Sequence, residues 1–140
     1  MGRINIGRVV IGGLVAGVVI NVIEFVLNGV VLANQWNDQM ASLNRSVFDT
    51  NQIIGFLIFG FVSGIVAVWT YAAIRPRFGA GPTTAIYAGL LTWVTVYVLC
   101  DAMPAIMDLY PVSLTLILIG VGLIEIVAAT LAGAWFYKEA

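Results

Sequence analysis

The sequence predicts an all-α integral membrane protein, an antiparallel four-transmembrane-helix bundle with a short amphipathic interfacial helix between helices 1 and 2. Three observations carry that prediction. Hydrophobic residues make up 61% of the 140-residue chain and charged ones 9%, and the mean hydropathy is +1.05, far outside the range of a soluble domain of this length. Four apolar stretches each run to roughly 20 residues or more, enough at about 1.5 Å per residue to span about 30 Å of hydrocarbon. Each stretch also gathers its small residues on one side, as helices that pack closely in lipid do.

The first span covers residues 6–32. Arg3 and Arg8 flank it as they would a signal peptide, but the apolar run is too long for one and no small-residue cleavage site follows, so it reads as a retained helix. The segment 34–51 is amphipathic. Trp36, Met40, Leu43 and Val47 recur at helical spacing among Asn37, Asp38, Gln39, Ser42 and Arg45, the pattern of a helix lying in the outer interface with Trp36 anchored at headgroup depth. A flat connector is the favoured reading of it, and a lid or partner-docking element the alternative. Asp49 and Thr50 can cap the second span, residues 52–74. RPRFGAGPTT then turns the chain into the third, residues 84–103. DAMPAIMDLYP leads into the fourth, residues 111–137, with Asp101 at an interfacial terminus and Asp108 as an N-terminal cap. The whole is one membrane domain. Arg3, Arg8, Arg75, Arg77 and Lys138 fall on one side and only Arg45 on the other, which places both termini in the cytoplasm, most simply of a bacterium bounded by its inner membrane.

Successive helical residues lie about 100° apart, so Gly13, Gly17, Asn21, Glu24 and Asn28 share an arc of roughly 80° on helix one. On the fourth span Thr115, Gly122, Glu125, Ala129 and Gly133 share roughly 100°. The second span offers Gly60, Ser63, Gly64 and Ala67, and the third Ala85, Ala88, Gly89, Thr92 and Thr95. These faces are assigned to helix packing and the Leu, Ile, Val and Phe faces, Leu27 included, to lipid. Gly13-x-x-x-Gly17 and Gly60-x-x-x-Gly64 would serve equally in a homo-oligomer or a larger membrane complex.

Counting inward from the cytoplasmic ends puts Glu24 roughly 22 Å and Glu125 roughly 18 Å deep, both near mid-bilayer. No lysine or arginine shares that depth, so each carboxyl must be protonated, hydrogen-bonded to a neighbour such as Asn21, Asn28, Ser63, Thr92 or Thr95, or hydrated. Two readings follow. In the first, Glu24 and Glu125, with Asn21 and Asn28 as neutral ligands, hold a proton or cation in coupled transport of a small solute. In the second, the same groups are structural hydrogen-bonding partners in a non-catalytic accessory or assembly subunit.

Other classes have little footing. The chain has no histidine, which removes the usual zinc, haem and Ser-His-Asp chemistries, and its single cysteine, Cys100, has no partner within the chain. No cofactor or metal is implied. A net charge of -1 without a basic run gives no footing for nucleic acid, and no carboxylate cluster at the membrane surface suggests catalysis. In size, span count and the helix-one glutamate Glu24, the chain resembles the small multidrug-resistance transporters, a likeness that implies proton and cation binding at Glu24. It departs from them in the residues around Glu24, in the long first connection, in its asparagines and in the second carboxylate, Glu125.

Overall fold

A computed structural model describes residues 3–139, and among them it is helical with no strand. Helix α1 runs Ile6–Val26, α2 Ala33–Ser42, α3 Thr50–Phe78, α4 Pro82–Trp93, α5 Leu99–Ile106 and α6 Val112–Trp135. Two single π-helical segments, Leu27–Val31 and Val94–Val98, extend α1 and join α4 to α5. The chain therefore has four helical segments long and apolar enough to cross a membrane, Ile6–Val31, Thr50–Phe78, Pro82–Ile106 and Val112–Trp135, the mark of an integral membrane protein.

Local chemistry sets most of the helix ends. Asn5 caps α1, its side-chain oxygen accepting from the Arg8 N–H at 3.1 Å. Asp49 and Gln52 form a reciprocal capping box at the start of α3, each bond 2.9 Å long. Gly79, with φ 85°, ends α3, and Pro82 opens α4 at a position where its missing N–H costs nothing. Asp108 does not cap the fourth span as expected. It stands at φ 55° just past α5, where its N–H donates to Ala105 O and the Leu109 N–H to Pro104 O, so it closes the preceding helix, and α6 starts after Pro111 without a side-chain cap. Asn44, at φ 54°, closes α2 by the same pair of bonds, to Ala41 and Met40.

Helix α1 packs on α3 and α6, and α4 packs on α6 and α3. The approach of α1 to α3 depends on missing side chains. A Cβ on Gly13 would lie 2.5 Å from Ile65 Cα, and one on Gly64 2.5 Å from Gly13 O, while Gly17 backs onto Phe61 and Gly60 onto Asn21. Gly12 and Gly133 bring α1 and α6 together in the same way, Gly89 lets α4 reach Val127, and Gly122 faces the Tyr97 ring. Ala129 is fully buried in the same core. These glycines are spent within one chain. The outward faces carry Val22, Phe25, Phe56, Ile58 and Ile124, all exposed.

Helix α2 turns its apolar side onto the spans. Trp36 and Met40 are 7% exposed each, packed with Leu27, Leu32, Leu114 and Leu118. Leu43 is only partly buried against them, and Val47 lies past the helix, 50% exposed. The helix closes at Asn44 after ten residues, nearly three turns with one apolar ridge, and that ridge finds cover on Leu27 of the first span and on α6. Gln39 ties α2 down further, its amide donating to Leu109 O at 2.6 Å. Leu27, assigned above to lipid, is buried beneath this cover.

Candidate functional site

Glu24 sits in the last turn of α1, and Glu125 sits mid-way along α6, where it is 1% exposed. The two carboxyl groups stand within hydrogen-bonding reach of each other. Asn28 donates an amide hydrogen to Glu24 Oε2, and Tyr97 donates its hydroxyl to Glu125 Oε1. The Asn28 oxygen is itself occupied, accepting from the Trp36 indole N–H at 2.8 Å. A polar chain thus runs from Trp36 on α2 through Asn28 and Glu24 on the first span to Glu125 on α6 and Tyr97 on the third span. Glu125 Oε2 is buried and has no hydrogen-bond partner.

Both π segments lie at this site, the first carrying Asn28 and the second Tyr97. Single π turns concentrate at functional positions in helices because the extra residue re-aims side chains. Here the effect is calculable. On an unbroken helix Tyr97 would stand about 140° from the buried Thr92, and one extra residue removes about 100°, turning Tyr97 inward to within about 40°. The same rotation carries Thr95 outward, and it is exposed with its hydroxyl donating to Leu91 O and Thr92 O at 3.1 Å. Thr92 likewise donates to its own helix, to Ala88 O at 2.9 Å. Neither threonine joins the carboxyls.

Asn21 does not join them either. Its amide donates to Leu57 O across the α1–α3 contact at 3.2 Å, and it makes no hydrogen bond to either carboxyl. Asp101, read from sequence as an interfacial terminus, is half-buried in α5 and close enough for its charge to be felt at Glu24 and Tyr97. Among the described residues no cation pairs with these acids. The ion pair among the described residues is Arg75 with Glu139 at 3.8 Å, at the end where the Tyr137 hydroxyl accepts from the Asn5 N–H. Among the described residues no three of His, Cys, Asp and Glu form a group able to hold a metal.

Two grooves run beside the site. One lies between Val18, Asn21, Val22, Phe25, Leu57 and Phe61, the other between Ile23, Val26, Leu27 and Val121, and neither is lined by Glu24 or Glu125. Tyr97 and the inward role of Trp36 were missed from sequence. A tyrosine mid-way along the third span was the available signal for the first, and the shortness of the apolar ridge on α2 for the second. Comparison with protein families, with characterised proteins and with solved structures finds no match to this chain.

Proposed function

We propose that the protein is a proton- or cation-coupled transporter of a small solute, an antiparallel four-helix bundle of the bacterial cytoplasmic membrane with both termini inside, whose coupling site is the Glu24–Glu125 pair. The observation that carries this is the meeting of two carboxyls from apolar helices of membrane-spanning length, with no cation beside them among the described residues. Two adjacent carboxylates in a low-dielectric setting repel strongly, so one proton or one cation has to sit between them. Holding such a pair is costly if its only task is to join α1 to α6, since two amides would form that link without charge. The accessory-subunit reading draws on a different observation, the near-complete burial of Glu125 beside apolar grooves.

The test is a vesicle experiment. Reconstituted protein with an internal pH dye is challenged with a panel of small organic cations and zwitterions. Coupled transport predicts a change of internal pH with at least one of them, lost in both Glu24→Gln and Glu125→Gln. No response in the wild type to any of the panel would favour the accessory reading.

A further inference from the structure

The reading above leaves open whether a proton or a metal cation fills the Glu24–Glu125 site, and the hydrogen-bond directions around it bear on that choice. We infer that the site is built for a single proton shared by the two carboxyls and rejects alkali-metal cations, and that Trp36 sets this selectivity by fixing the orientation of Asn28; this rests on the coupling-site reading just given.

An indole N–H can only donate. Its bond at 2.8 Å therefore occupies the Asn28 oxygen and leaves the amide NH₂ facing Glu24. A cation site needs oxygen acceptors converging from several sides, and here the neutral group nearest Glu24 presents hydrogens. Tyr97 does the same on the other side, its hydroxyl hydrogen directed to Glu125 Oε1. The two donors each occupy one carboxyl oxygen. Glu125 Oε2, buried and unpartnered, is the acceptor or carrier left for a proton between the two residues. A proton needs only two oxygens in line, whereas sodium would have to displace both donors or bind with a fraction of its usual oxygen shell. Asp101 on α5 is the remaining acid near the pair, close enough to influence charge there but not bonded to it. Helix α3 contributes no titratable group to the site, and Arg75 near its end pairs with Glu139.

Trp36 is thus a positioning residue. Trp36→Phe keeps an aromatic ring against Phe48 and Tyr110 but removes the N–H, freeing the Asn28 amide to turn its oxygen toward Glu24. Asn28→Asp places acceptor oxygens at the same spot without altering the α2 packing, and serves where Trp36→Phe does not fold.

The probe is sodium chloride, compared with choline chloride at equal ionic strength, applied to the full-length protein in phospholipid vesicles while the infrared carboxylic-acid band is followed. The band belonging to the pair is the one lost in Glu125→Gln. Expected is a wild-type band unchanged by sodium, and a band in Trp36→Phe or Asn28→Asp that disappears as sodium rises because the ion displaces the shared proton. A wild-type band that sodium removes would overturn the selectivity while leaving a coupling site in place. Bands indifferent to sodium in the wild type and in both variants would overturn the role of Trp36. A wild type with no band sensitive to Glu24→Gln or Glu125→Gln would instead remove the coupling site itself.

Discussion

Tyr97 is the residue whose loss most directly isolates what Glu125 requires of its surroundings. Its hydroxyl donates to Glu125 Oε1, and the other oxygen has no partner, so Tyr97→Phe leaves a buried carboxyl with neither oxygen served from the third span. Intramembrane hydrogen bonds are worth about 0.5 to 2 kcal/mol. Tyr97→Phe should therefore lower the melting temperature in detergent measurably, and Glu125→Leu should lower it further, because leucine strands the Tyr97 hydroxyl as well as Glu24. Glu125→Gln, which keeps shape and a hydrogen-bond acceptor, should melt close to the wild type. Equal melting of Tyr97→Phe and wild type would mean that the bond contributes nothing to stability.

At the scale of elements, the α1–α3 contact makes a sharp comparison. Gly17→Leu or Gly64→Leu forces bulk against Phe61 or against the Gly13 carbonyl, and overpacking of this kind costs about 1–3 kcal/mol. Val22→Ala removes bulk from a side chain that is 58% exposed and should cost little, whereas Leu27→Ala opens space beneath Trp36 and belongs with the damaging changes. Thermal stability in detergent ranks them, and equal values for all four would contradict the packing. The spans themselves were legible because length and hydropathy are summed over twenty residues or more, and their observed limits fall within four residues of the expected ones. What sequence periodicity does not report is a change of phase. The π turn at Val94–Val98 exchanges Tyr97 for Thr95 on the inward face, and no residue type in that segment marks it. Asp108 misled for a related reason: aspartate suits both an N-cap and a left-handed C-terminal turn, and the bonds to Ala105 and Pro104 decide between them only in three dimensions. Trp36 suits both an interface and an interior that offers its N–H an acceptor, and that acceptor, Asn28, lies eight residues away on another element.

For the molecule as a whole, the hydrogen bond from Asn5 to Tyr137 holds the start of α1 beside the end of α6, and the basic residues cluster at that end. The proposed topology has that end in the cytoplasm. Because Cys100 is exposed, labelling needs a Cys100→Ser background. A cysteine placed at Ser42 should then react with an impermeant reagent from outside, and one at Gly79 should not. The reverse pattern would invert the topology. The claim on which the account turns is that Glu24 and Glu125 share one proton within the membrane. Infrared titration of the carboxylic-acid band in vesicles, between about pH 5 and 9, tests it most directly, since a carboxylic acid and a carboxylate absorb apart and ordinary carboxyls are already ionised there. The account predicts one titrating band that both Glu24→Gln and Glu125→Gln abolish or displace, with the double variant no different from either single one. A spectrum without such a band, and with both glutamine variants indistinguishable from the wild type, would contradict it.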